Sequence, residues 1–270
     1  MTESPTGTPL TDIVEETERL VESAEKRGIV LRLFGGMAIR FHCPSANHRS
    51  LQRKYADVDF MALEKQSHEL KKFFPEMGYA PRKTFNAMFG NKRLIFNDIQ
   101  RARRVDIFLD TFEMCHKFDF RNRLTIDKPT ISLADLLATK LQVVEITQRE
   151  YRDIIALIND HKIGDSDEPE VINASYLAHL CGNDWGIYKT FTINISNVKT
   201  ALEDYQLDDN VKQTVTQRLT ELQSRIDKVP KSMGWRMRAK IGEKKLWYEL
   251  PEMDKEVIDS HLFGDTGASK

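Results

Sequence analysis

The sequence predicts an α+β protein, a small mixed sheet followed by a mainly helical part, and two observations carry that expectation. Between residues 29 and 110, short runs rich in Val, Ile, Leu and Phe alternate with helix-period segments, the pattern of strands interleaved with helices. From Ser132 onward the apolar period changes: in "SLADLLATKLQVVEIT" the residues Leu133, Leu137, Leu141 and Val144 form one helical stripe. The 270 residues, 40% hydrophobic and 30% charged, suffice for one large or two modest cores.

Taken in order, residues 1–10 are rich in Ser, Thr, Pro and Gly and are expected to be disordered. Leu10, Ile13, Val14, Leu20 and Val21 mark a first amphipathic helix to about Arg27. "IVLRLF" reads as a strand, the Gly35-Gly36 turn opens a short helix through "MAIRFH", and "ADVDFMAL" is a second strand. "SHELKKFFPEMGY" follows as a helix closed by Gly78, and "RLIFND" and "RRVDIFLD" are two further strands. "RNRLTIDKPTIS" reads as a linker near 120–131, dividing a unit over 11–125 from a helical unit over 126–230. There, Ser132 and Asp135 resemble a capping box, and "REYRDIIALIND" continues as helix until the Gly and Asp cluster at 164–168. Later helices are expected over 170–181 and 211–228, with a basic, aromatic arm over 231–270.

Composition narrows the function. Lys plus Arg number 40 and Asp plus Glu 41, so no net field steers the whole molecule toward nucleic acid or an anionic membrane. Cys43, Cys115 and Cys181 are odd in number and far apart, which suits reduced thiols better than a disulfide framework or a zinc site. No basic leader with an apolar core and no membrane-length apolar segment is present, so a cytoplasmic location without a membrane partner is expected.

The chemistry-bearing residues start with "ADVDFMAL". Residues i and i+2 of a strand share a face, so Asp57 and Asp59 point together while Val58 and Phe60 turn to the core. An isolated D-x-D is more commonly the exposed face of an edge strand. Asp106 changes the balance, because it stands in a second alternating strand on the side opposite Val105, Ile107 and Leu109. Three carboxylates on neighbouring strands suit hard divalent cations and metal-assisted phosphoryl transfer, with the third as a ligand or as a base for an acceptor hydroxyl. Gly35 and Gly36 let backbone amides at a helix start approach a phosphate, although the pair alone is also an ordinary strand-to-helix turn.

This order of Gly-Gly turn, helix, D-x-D strand and a later strand with one Asp resembles the polymerase-beta-like nucleotidyltransferase superfamily. The resemblance implies a nucleotidyltransferase domain, Asp57, Asp59 and Asp106 as metal and catalytic residues, and Gly35 and Gly36 as phosphate-binding residues. It also implies two Mg²⁺ ions, with Mn²⁺ as a substitute, an NTP substrate, and an acceptor oxygen that attacks the α-phosphate as pyrophosphate leaves. "LADLLATK" and "REYRDIIAL" further resemble motifs of AbiEii-type nucleotidyltransferases, many of them toxins of toxin–antitoxin pairs. Carried over, Lys140 contacts the triphosphate, Asp153 supports the site, and an antitoxin-like protein partner is implied. The likeness covers roughly residues 30–160. It departs in the long interval between Gly36 and Asp57, filled by "HCPSANHRSLQRKY", and in Ala156, where a second acid is common.

Local charge suggests where an acceptor lies. Arg82, Lys83, Lys92, Arg93, Arg101, Arg103 and Arg104 face one acid, Asp98, and the band leads into Asp106, so Arg104 and its neighbours are candidates to hold a triphosphate or an RNA backbone. "KSMGWRMRAKIGEKKLWY" interleaves basic residues with Trp235, Trp247 and Tyr248. Such a segment suits single-stranded nucleic acid, or is an arm whose rings dock on the protein's own body. His42 and His48 lie in the inserted stretch and are more often incidental there than substrate contacts.

Overall fold

The computed structural model describes residues 7–55 and 57–249 and is a mixed α+β fold. The first helix, Ile13–Lys26 (α1), starts where the Asp12 carboxylate accepts the Val14 and Glu15 amides, so an acidic cap meets the positive end of the helix dipole. Leu31–Phe34 (β1) runs directly into Gly35–His42 (α2), and the chain then passes through a 3₁₀ turn, Pro44–Asn47, to Asp57–Ala62 (β2). Ser67–Glu76 (α3), Ala80–Pro81 (β3), Lys83–Phe89 (α4), Arg93–Asp98 (β4) and Arg103–Leu109 (β5) follow. The five strands lie in the order β1-β2-β5-β4-β3. β2 and β5 are parallel, and the other neighbours are antiparallel.

The remaining elements build the helical part. Thr111–Glu113 (β6) and Lys117–Asp119 (β7) form a hairpin, followed by Leu133–Leu141 (α5) and Gln148–Asp160 (α6). Lys162–Gly164 (β8) pairs with Val171–Asn173 (β9), and then come Ala174–Asn183 (α7), Trp185–Ala201 (α8), Asp209–Lys228 (α9) and Met233–Ile241 (α10). Thr147 and Glu150 close a capping box at the start of α6, and Ser132 caps α5. Among the described residues no helix is long and apolar enough to cross a membrane.

Three findings differ from the sequence reading. α8 reads "WGIYKTFTINISNVKTA", and its Thr, Ile and Val residues weaken the local helix signal. Burial of Ile187, Phe191, Asn194, Ile195 and Val198 along one face overrides that preference. α5 ends at Leu141 rather than reaching Val144, and all nine of its residues are buried, so it is enclosed on every side instead of presenting one stripe. Residues 120–131, expected as a linker, are packed: Phe120, Leu124 and Ile131 are buried, and Leu33 exchanges backbone hydrogen bonds with Pro129 and Ile131.

One cluster of buried side chains runs from Leu20 through Phe60 and Leu137 to Ile226, so the expected boundary is no gap in the packing. Residues 7–10 are also tied down. The Leu10 amide donates to Glu16 Oε2 at 2.9 Å, and Arg103 Nη2 donates to the Leu10 carbonyl at 3.2 Å. The rest of the expected disordered start (1–6) and the end of the expected arm (250–270) lie outside the described residues.

Candidate functional site

β2 and β5 bring the three carboxylates together. Their register pairs Asp59 with Asp106 and Asp57 with Arg104, across a strand spacing of about 4.8 Å. Val58, Phe60, Val105 and Ile107 are fully buried on the core side. Asp57 is exposed, Asp59 half-buried and Asp106 buried. Burial, and then the negative charges of Asp106 and Asp57, push the Asp59 carboxyl up to about 7, with Lys140 and Arg93 pulling the other way. Asp106 is held by Arg93, whose Nη2 lies 2.8 Å from Oδ1, and by Arg104, whose Nε lies 2.8 Å from Oδ2.

The Gly-Gly turn stands directly against this face. Gly35 has φ +68°, a left-handed conformation that glycine adopts without strain, and α2 starts there with no side-chain cap on its amides. A Cβ on Gly35 would lie 2.6 Å from Asp59 Oδ2, so the carboxylate already occupies the space a side chain needs. Gly35→Ala is therefore expected to cost about 1–3 kcal/mol and to displace Asp59. Chemical denaturation of the variant, with a crystal structure to locate Asp59, checks this.

A third group is built by α5 and α6. Lys140 Nζ lies 2.7 Å from Asp153 Oδ2, and both residues are buried. Arg53, from the inserted stretch before β2, grips the same carboxylate with two bonds of 3.0 Å. Its guanidinium lies 4.4 Å from the Tyr55 ring centroid, and its Nη2 sits where a Cβ on Gly36 would be. Arg53, Arg93, Arg104 and Lys140 thus face Asp57, Asp59, Asp106 and Asp153, four cations against four carboxylates. The set can receive a polyanion together with cations without stranding charge.

Arg53 is the member that the sequence reading missed. The only sequence signal is a basic residue shortly before D-x-D, and Arg49 and Lys54 carry the same signal. Arg49 instead donates to Gln206 Oε1 at 3.0 Å, and Ser50 to the Gln206 carbonyl, which anchors the insertion on the helical part.

Arg101 pairs with Asp98, Arg103 donates to the Leu10 and Thr11 carbonyls, and Arg93 and Arg104 are on Asp106. These four arginines therefore have partners inside the protein, which a ligand would have to share. In the C-terminal arm, Trp247 Nε1 donates to Thr190 Oγ1 at 3.1 Å and Trp235 packs edge-on against Tyr188, so these rings dock on the body. Cys43, Cys115 and Cys181 are free and buried.

The carboxylate oxygens of Asp57, Asp59 and Asp106 are the donors that Mg²⁺ or Mn²⁺ takes. The Asp59 carboxyl is raised first by burial and then by the charges of Asp106 and Asp57, and a divalent ion would offset both. Among the described residues no three His, Cys, Asp or Glu side chains stand in closed metal-binding geometry, and for Asp106 the two arginines would have to yield part of their hold. No protein-family model matches the chain, and no curated protein matches it.

Proposed function

We propose that the protein is a metal-dependent nucleotidyltransferase that moves an NMP from an NTP to an acceptor hydroxyl on an RNA, a protein or a small molecule. The observation that carries this reading is the contact of the Gly35 turn with Asp59, itself in register with Asp106. Asp57 and Asp59 hold the ions, with Asp106 as the third ligand or as the base that takes the acceptor proton. Bound Mg²⁺ supplies charge neutralisation of the triphosphate and polarisation of the transferred phosphoryl group. The amides of Gly35 and Gly36 orient the phosphates at the start of α2. Lys140 and Arg104 neutralise the polyanion, and Asp153 fixes Lys140 in place. The resemblance to AbiEii-type enzymes extends this to a toxin-like role with an antitoxin-like partner.

Incubation of the purified protein with each labelled NTP, Mg²⁺ and cell RNA or lysate tests it. Label is expected in one acceptor class and to vanish with Asp57→Asn. Persistence of full transfer in that variant would remove the metal assignment.

One observation favours a second reading, a nucleotidyltransferase-like fold that binds or regulates without chemistry: both oxygens of Asp106 are already engaged by arginines. Thermal unfolding separates the two. A midpoint raised by Mg²⁺ with NTP supports the enzyme, whereas no shift at saturating concentrations supports the non-enzymatic module.

A further inference from the structure

A second cluster of metal-ligating side chains lies outside the group just described, where the ends of α2 and α6 meet. His42 is the last residue of α2, His161 follows α6, and Glu170 immediately precedes β9. The Glu170 carboxylate faces both rings: Oε1 is 3.7 Å from His42 Nδ1 and Oε2 is 3.1 Å from His161 Nδ1. The rings are nearly perpendicular, with centroids 6.0 Å apart. Glu170 has φ +60°, a strained backbone for a residue other than glycine.

The hydrogen bonds around His42 fix its tautomer. Thr130 Oγ1 donates its own proton to the Ile131 carbonyl at 2.8 Å, so toward His42 Nε2, 2.7 Å away, it accepts. The His42 proton is then on Nε2, and a neutral ring turns the bare lone pair of Nδ1 toward a carboxylate. His161 Nδ1 is buried and makes no hydrogen bond, while its Nε2 faces Cys43 Sγ at 3.7 Å. Cys43 Sγ lies against Nε2, on the opposite side of the His161 ring from the nitrogen that faces Glu170. Two imidazole nitrogens and a carboxylate thus converge on one point, and the buried His161 Nδ1 has no hydrogen-bond partner there.

We propose that His42 Nδ1, His161 Nδ1 and the Glu170 carboxylate form a binding site for a zinc-type transition-metal dication. In a tetrahedral site with bonds of about 2.0–2.1 Å, neighbouring donors are roughly 3.3 Å apart. The two nitrogen–oxygen edges, 3.1 and 3.7 Å, straddle that separation. The two ring centroids are 6.0 Å apart, and among the described residues no three such side chains already stand as a metal-binding group, so the ligands must draw together on the ion. Glu170 has an exposed side chain, which leaves it free to close on an ion and leaves room for a water as fourth ligand. The bond from His42 Nε2 to Thr130 is the outer contact that orients a ligating imidazole. Such an ion ties the end of α2, whose start carries Gly35 and Gly36, to the end of α6, which carries Asp153.

Titration of the metal-free full chain with Zn²⁺ by calorimetry, and with Co²⁺ by visible absorption, tests the site. One ion per chain is expected, with the visible bands of low-coordinate Co²⁺ and no thiolate charge-transfer band. Glu170→Gln, at an exposed position, is expected to weaken Zn²⁺ binding at least ~10-fold without moving the unfolding midpoint of the metal-free chain. His161→Gln is expected to weaken it further, and Asp59→Asn to leave it unchanged, which separates this site from the proposed Mg²⁺ site. Absence of binding at micromolar Zn²⁺, binding indifferent to Glu170→Gln, or a thiolate band from Cys43 would each overturn the proposal.

Discussion

Asp59→Asn is expected to stabilise the protein above neutral pH and, under the proposed function, to abolish nucleotidyl transfer. In the folded chain the Asp59 carboxyl is raised from 3.8 to about 7, so the native state keeps a proton that the unfolded state releases near pH 4. The folded state then binds more protons across the window from about 4 to 7, and stability must fall as pH rises through it. Above that window the penalty is complete and reaches up to about 4 kcal/mol for a shift of this size. Asparagine cannot ionise, so the advantage of the variant is expected to be small at pH 4 and largest at pH 8. Urea unfolding at pH 4, 6 and 8 checks the trend, and an equal difference at all three values would reject the electrostatic account. Under the proposed function, saturating Mg²⁺ stabilises the wild type at pH 8 more than the variant. Stability and activity are then in opposition at one residue, as expected where charges are gathered for a ligand.

Asp153→Ala is expected to be among the most destabilising single changes in the protein. Its carboxylate is 2% exposed and is the shared partner of Lys140 and Arg53, whose side chains are 11% and 13% exposed. Removing it strands two nearly buried cations, a loss of about 3–5 kcal/mol. The double variant Asp153→Ala with Lys140→Met is expected to recover part of that loss, because one stranded charge goes with the anion. Denaturant unfolding of the two variants measures both effects. A loss under about 1 kcal/mol for Asp153→Ala would mean that water reaches these cations and that the shared carboxylate is not what holds the insertion down.

Much of the candidate site is legible in the chain. Asp57 and Asp59 alternate with Val58 and Phe60, and Asp106 alternates with Val105 and Ile107, because side chains on a strand point to opposite faces by local geometry. Gly35 at a strand end before a helix is likewise a local statement about backbone freedom. α8 was hidden for the converse reason: its local propensity opposes helix, and burial against the rest of the protein reverses the balance. Arg53 and the arginines on Asp106 were hidden because any basic residue reads alike in sequence, whereas its partner is chosen by chain segments far away.

By itself the sequence determined the α+β class, the strand faces of the three aspartates and the position of the glycine turn, since each follows from a period or a backbone requirement only a few residues long. The tertiary structure alone decided that Phe120, Leu124 and Ile131 of the expected linker are core, that four arginines of the basic band have partners inside the protein, and that Arg53 and Lys140 share Asp153. It also decided that His42 and His161 meet across Glu170. Pairing of charges and ligands is set by which elements pack together, and burial then raises the energy of every alternative pairing.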